Sequence, residues 1–272
     1  MKKVLELYKP IGKTPLQTIE EYKIKHPELT GIKLAYAGRL DPMAEGLLLV
    51  LVGDECKKRK EYEKLPKTYE FEVLFGISTD TFDVMGKIVK ISKIIPQEDL
   101  LHGSGEYQKS KINELIKKYQ GKMLQEYPPY SSPRVNGKPL FWWAREKRLD
   151  EIKIPKKEIT IYELLALRSF NEGGRFMNEY QMSAEQLLKT VHERIEKVEG
   201  EFRQKEILEI WDKKLKDRDF RFSVFSFKIT CSSGTYVRSI ANKMGEDLKV
   251  GAIAFSIKRT KIGKFLILNP KS

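Results

Sequence analysis

The feature that most constrains this chain is the uninterrupted apolar run Leu47-Leu-Leu-Val-Leu-Val52, bounded by Gly46 and Gly53. The run is far too short to cross a bilayer, and in water such a run has to be buried. It predicts a buried strand, and the stretch before it, Tyr36-Ala-Gly-Arg-Leu-Asp-Pro-Met-Ala-Glu-Gly46, predicts a tight loop leading in. Asp41 lies within that loop, between Gly38 and Gly46, where backbone can approach a ligand without side chains in the way. Taken alone, an Asp-Pro pair marks a turn.

Elsewhere strand and helix signals alternate. Tyr69, Phe71, Val73 and Phe75 share one face of a period-2 run whose other face carries Glu70 and Glu72, and Phe225, Phe227, Ile229 and Cys231 form a second such run. Helical spacing follows at Val237, Ile240, Ala241, Met244 and Leu248, which places Arg238 in the first turn of a helix after a strand. Ile112, Leu115, Ile116 and Tyr119 predict another helix over Lys111 to Tyr119. Strands and helices mixed without a strict βαβ rhythm indicate an α+β fold. One segment, about Asn171 to Asp219, differs in texture. Ser183 with Gln186 forms a capping-box pattern, and Leu187, Leu188, Val191, Ile195, Val198 and Phe202 predict an amphipathic helix from Ala184 that continues or turns back as a hairpin.

The net charge of +13 favours a polyanionic partner, since each neutralised phosphate releases counterions. That surplus belongs to the flanking segments, because residues 171–219 hold ten Lys or Arg against twelve Asp or Glu. Cys56 and Cys231 lie far apart, and His26, His102 and His192 lack ligand spacing, so no metal site is expected. The N-terminus has no apolar signal core, because Glu6 and Lys9 interrupt it, and a cytoplasmic protein with no membrane association is expected.

The loop around Asp41 resembles the catalytic motif of the TruB-type pseudouridine synthases, matching it at Gly38, Leu40, Asp41, Pro42, Ala44 and Gly46. Further matches follow in the family's order: Lys9-Pro-Ile-Gly12, Lys67-Thr-Tyr69, Thr79-Asp-Thr-Phe-Asp83 with Gly86, Pro128-Pro129 with Val135-Asn-Gly-Lys138, and Ala144-Arg145. Cys231-Ser-Ser-Gly-Thr-Tyr-Val-Arg238 and Lys258-Arg-Thr-Lys-Ile-Gly-Lys-Phe265 complete the set. The resemblance covers nearly all of the chain except 171–219, which reads as a helical insertion in a single catalytic domain spanning residues 1–272. It implies the pseudouridine synthase fold, a curved, mixed but largely antiparallel sheet flanked by helices, with the active site in a cleft across it.

By the same resemblance, the catalytic carboxylate falls on Asp41, the base-stacking tyrosine on Tyr69 and the carboxylate-pairing arginine on Arg238. Converting uridine to pseudouridine breaks the C1′–N1 bond, turns the bound base and joins C1′ to C5, so no cofactor is expected. An ionised carboxylate at the ribose serves either as nucleophile at C1′ or as base at C2′, and the sequence leaves both open. A cation is unfavourable in a first helical turn, and Asp41 gives Arg238 a reason to be there. Tyr69 reads by position alone as a core aromatic; the resemblance gives it a ring face for the base and a phenol to help remove the C5 proton. Tyr236 and Ile257 are expected as wall residues, although each reads equally as core packing. Tyr127 to Arg148 interleaves Tyr130, Phe141, Trp142 and Trp143 with Arg134, Lys138, Arg145, Lys147 and Arg148, the mixture of a surface that stacks bases and tracks phosphates. Lys9, Tyr36, Arg39, Arg134, Lys138, Arg145, Tyr236, Ile257 and Arg259 are the expected substrate contacts.

The match departs from the family at Tyr36 and Ala37, which stand where it has His and usually Thr, and at Tyr8, which replaces a common Asp. No C-terminal RNA-binding (PUA-like) domain is expected. The expected partner is tRNA, through its T stem-loop, bound by a monomer. The rivals are the same chemistry on another RNA, such as ribosomal RNA, and a non-catalytic RNA-binding or RNA-folding protein. The acidic insertion is expected to pack or to contact protein rather than phosphate.

Overall fold

In the computed structural model, residues 2–92, 105–167, 169–170, 176–177 and 179–267 are described. In chain order, β1 (Val4–Lys9), α1 (Pro15–Lys25), β2 (Leu34–Tyr36) and β3 (Ala44–Val52) are followed by α2 (Arg59–Lys64), β4 (Lys67–Phe75), β5 (Ile77–Thr79) and β6 (Ile88–Ile91). Next come α3 (Gly105–Tyr119), β7 (Gly121–Glu126), β8 (Arg134–Val135), β9 (Lys138–Pro139), α4 (Leu140–Arg145) and β10 (Lys156–Ala166). The chain continues through β11 (Ser169–Phe170), β12 (Phe176–Met177), β13 (Glu179–Ser183), α5 (Ala184–Ile195) and α6 (Gln204–Leu215), and closes with β14 (Arg221–Cys231), α7 (Val237–Asp247), β15 (Ala252–Ile262) and β16 (Phe265–Leu266).

Ten strands make one open sheet whose main order is β1-β3-β15-β4-β14-β10-β7. Among the described strand–strand pairings of this sheet only β15 against β3 is parallel, so the sheet is mixed and largely antiparallel. The period-2 reading of Tyr69 to Phe75 corresponds to β4, and its apolar face packs with Phe225, Phe227 and Ile229 of β14 against α3 and α7. The apolar run Leu47–Val52 lies wholly within β3, with Leu47 to Leu51 fully buried.

The opposite face is covered by the acidic segment that carries α5 and α6. Leu74, Phe222, Val224, Ile253 and Phe255 of the sheet pack with Leu187, Val191, Ile195, Ile207, Trp211 and Leu215 of α5 and α6. The α5 capping box forms as the sequence predicts, with Gln186 N donating to Ser183 Oγ at 3.1 Å and Ser183 N to Gln186 Oε1 at 2.9 Å. The helix then turns back at Gly200 (φ +96°) and Arg203 (φ +64°) instead of continuing. Trp211 is wholly buried and donates its Nε1 to Gly86 O at 2.9 Å, so truncating it to alanine costs about 3–5 kcal/mol. The expected helical segment begins at Asn171, and residues 171–175 lie outside the described residues. Its described beginning is strand: β13 pairs with β14 from Glu179↔Phe225 to Ser183↔Arg221, because Met182 alternates into the core between exposed Gln181 and half-buried Ser183. Helix covers only α5 and α6.

Candidate active site

The loop that precedes β3 is fixed from behind. Lys9 is fully buried, and its Nζ donates to the carbonyl oxygens of Pro10, Lys13 and Pro42 at 2.8, 2.7 and 3.3 Å. Burial lowers this ammonium to about 8, against the opposing pull of Asp41 and Glu45. Gly12 N also donates to Pro42 O, at 2.9 Å. From the other side Arg259, 1% exposed, donates Nε to Leu47 O at 2.8 Å, Nη1 to Arg39 O at 3.1 Å and Nη2 to Gly38 O at 3.3 Å. Gly46 has a φ of +112°, and a β-carbon there would sit 2.3 Å from Arg259 O, so the parallel approach of β15 to β3 requires glycine.

So held, Asp41 keeps 42% of its side chain exposed and lines a cleft of about 670 Å³. Its Oδ2 lies 3.0 Å from Nε of Arg238, which enters from the first turn of α7 and is itself almost completely buried. The Nε–Oδ2 contact lacks hydrogen-bond alignment and acts as an ion pair. The other two guanidinium nitrogens are bound to backbone: Nη1 donates to Thr81 O at 2.8 Å and Nη2 to Tyr130 O at 2.7 Å. The arginine thus ties the Thr79–Asp83 turn and the Pro128–Tyr130 loop to the carboxylate. Below it Asp83 accepts from Thr81 Oγ1 at 2.6 Å and Met85 N at 3.0 Å, and burial raises its carboxyl to about 6 despite Arg238 nearby.

Tyr69, Tyr36, Arg39, Tyr236, Ile257 and Arg259 line the same cleft. Burial raises the Tyr69 phenol to about 12, with Arg259 opposing the rise, so near neutral pH it presents a ring and a neutral hydroxyl rather than a phenolate. Tyr236 packs edge-on against Tyr127 at 5.8 Å between centroids. Arg39 is exposed and donates Nη1 to Ser132 Oγ at 2.8 Å, and Arg59 lies over the Tyr36 ring at 5.4 Å. Beyond Asp41 a side lobe of about 280 Å³ is bordered by Arg145, Phe141, Phe202 and Arg203.

The sequence-expected contacts therefore divide. Asp41, Tyr69, Arg238, Tyr36, Arg39, Tyr236 and Ile257 converge, and Arg145 joins them at the lobe. Lys9 serves the loop instead, its donors occupied by carbonyls, and Arg259 lines the cleft wall while its guanidinium holds three loop carbonyls. Arg134 and Lys138 stand exposed on the β8–β9 hairpin away from the cleft, Arg134 donating to Gly137 O at 2.8 Å and Lys138 lying 5.1 Å from the Trp142 ring. Lys67, matched in the sequence only as part of its motif and not expected as a site residue, lines the cleft; its Nζ donates to Glu63 O and Leu65 O at 2.6 and 2.7 Å, and burial lowers it to about 8. Sequence reasoning missed the site position of Phe202, which its spacing places in the helical series, and of Arg203.

Residues 23–187 match the TruB family pseudouridylate synthase N-terminal domain. Among curated relatives, tRNA pseudouridine synthase B of Aquifex aeolicus is 28% identical over 259 residues, 95% of this chain and 68% of the relative. The protein of that name from Clostridium kluyveri is 29% identical over 265 residues, 97% of this chain and 68% of the relative. Among solved structures, a Cbf5-Nop10-Gar1 complex aligns with a TM-score of 0.51 at 17% identity, covering 97% of this chain and 49% of that one. An H/ACA RNP bound to a substrate RNA containing 2′-deoxyuridine aligns at 0.50 and 17%, covering 97% and 48%. At that identity the likeness concerns the fold alone, and this chain spans about half the length of those chains.

Proposed function

Because the chain belongs to the TruB family of pseudouridylate synthases, we propose that it is an RNA isomerase converting uridine to pseudouridine, with tRNA as its substrate and the T-loop uridine as its target. The observation that carries this reading is the ion pair of Asp41 and Arg238 inside a cleft walled by Tyr69, Tyr236 and Ile257. It supplies an anionic oxygen beside a space lined by flat and apolar side chains, as the reaction needs.

Asp41 acts at the ribose, by attack at C1′ or by proton removal at C2′, and in either route the C1′–N1 bond breaks. The detached uracil turns against the Tyr69 ring, C5 joins C1′, the C5 hydrogen is released and N1 takes up a proton. Arg238 keeps the carboxylate aimed, because it pairs with Asp41 through Nε while its remaining donors are fixed by two carbonyls. Flipping the uridine out of its loop costs a few kcal/mol, which the RNA contacts offset. Arg39 at the cleft and lobe, Arg145 at the lobe, and Phe141, 37% exposed, are the proposed contacts. The basic surplus of the chain favours the same partner. No helix among the described residues is long and apolar enough to cross a membrane.

The test is to incubate unmodified tRNA transcripts and ribosomal RNA fragments with the protein, then map pseudouridine by carbodiimide treatment and primer extension. A stop in the T-loop is the expected result. A stop only in ribosomal RNA keeps the reaction and changes the substrate; tight binding without any stop favours an RNA-binding protein.

A further inference from the structure

The loop joining α5 to α6 reaches the Asp41 site, although it belongs to the acidic insertion. Phe202 lines both the main cleft and its side lobe. Arg203, in the left-handed region at φ +64° where a non-glycine residue is disfavoured, donates Nη1 to Asp80 Oδ2 at 2.9 Å and to Tyr130 Oη at 2.7 Å. Its guanidinium also lies 4.3 Å from the Tyr130 ring centroid, and Tyr130 Oη donates to Asp80 Oδ2 at 3.2 Å, which closes a triangle. These partners lie on the same two loops that hold Arg238, through Thr81 O and Tyr130 O. Arg203 therefore clasps together the two loops whose carbonyls accept from Arg238 and on which its orientation depends.

The hairpin that carries Arg203 is rigidly seated. Trp211 Nε1 donates to Gly86 O at 2.9 Å and Lys214 Nζ to Ile88 O at 2.8 Å, and on the other side Gln17 Nε2 donates to Glu199 Oε2 at 2.9 Å. We propose that Arg203 is a positioning residue for catalysis, acting on Asp41 through Tyr130 and Arg238, so that the insertion is a working part of the active site. This rests on the reading of Asp41 as the reacting carboxylate.

The experiment compares Arg203→Ala, Arg203→Lys, Tyr130→Phe and the Arg203→Ala/Tyr130→Phe double variant in the full chain, with thermal unfolding as the control for folding. In steady-state assays over a series of RNA concentrations, Arg203→Ala is expected to lose about tenfold or more in the saturating rate with KM within about threefold, and Arg203→Lys to recover part of the loss. The double variant is expected to lose no more than the larger single loss, since both act through one contact. A raised KM with an unchanged saturating rate, or additive losses, would overturn the proposal. A crystal structure of Arg203→Ala gives a readout independent of activity: a lengthened Arg238–Asp41 separation supports the proposal, and an unchanged one overturns it. A wild type inactive on every RNA would instead sink the reading of Asp41.

Discussion

Two arginines lie almost wholly buried on either side of one loop, and their surroundings differ in one respect. Around Arg259 every identified partner is a backbone carbonyl or the Tyr69 phenol, and among the described residues no carboxylate pairs with it. Around Arg238 two carbonyls are joined by the carboxylate of Asp41. A buried cation satisfied by carbonyls fixes the shape of the backbone that supplies them. One satisfied by carbonyls and a half-exposed carboxylate aims an anion into a cleft. Burial alone thus does not bring a charged residue to bear on a cleft; the partner that remains accessible decides.

The comparison is broken most severely at Asp41 itself. Asp41→Asn keeps the shape but cannot act as an anionic nucleophile or base, so turnover is expected to vanish while RNA affinity stays within about tenfold, as read by filter binding. Next, Arg238→Ala is expected to slow the saturating rate about 10²–10³-fold, more than its effect on binding, because the carboxylate loses its aim and its countercharge. Arg259→Ala should instead unfold at lower denaturant, by about 3 kcal/mol, while its folded fraction turns over within about tenfold of wild type. If both variants lost activity only in proportion to stability, the distinction would collapse.

A smaller effect concerns pH. The Asp83 carboxyl is raised from 3.8 to about 6 in the folded chain, so the folded state holds this proton more tightly than the unfolded one. The stability it contributes is fully present below pH 3.8 and is lost as pH rises through about 6. Asp83→Asn should flatten that part of the thermal stability profile, and an unchanged profile would remove Asp83 from it. The smallest effect is expected at the rim: Arg145→Ala should weaken RNA binding several-fold and reduce the salt slope by about one, and an unchanged slope would take Arg145 out of phosphate contact.

What the sequence made legible was local or periodic. The run at Leu47, the alternation at Tyr69 to Phe75 and the spacing from Val237 all became the expected elements, and the pair of Asp41 and Arg238 was anticipated by the family resemblance. What stayed hidden is set by tertiary packing. Lys9 follows a strand pattern as any surface lysine would, and nothing near it announces that three carbonyls converge on its ammonium. Arg203 lies 123 residues from Asp80 and 73 from Tyr130, so no spacing links them. The strand at Glu179–Ser183 is hidden as well, since five residues carry too little alternation to outweigh the helical pattern that follows.

The most direct test is tritium release from C5-labelled uridine in unmodified tRNA transcripts, comparing the wild type with Asp41→Asn under single-turnover conditions. Joining C1′ to C5 expels the C5 hydrogen, so the wild type is expected to release tritium and Asp41→Asn to release none above background. Equal release by both proteins, or none by a wild type that binds the RNA tightly, would contradict the assignment of Asp41 as the reacting carboxylate.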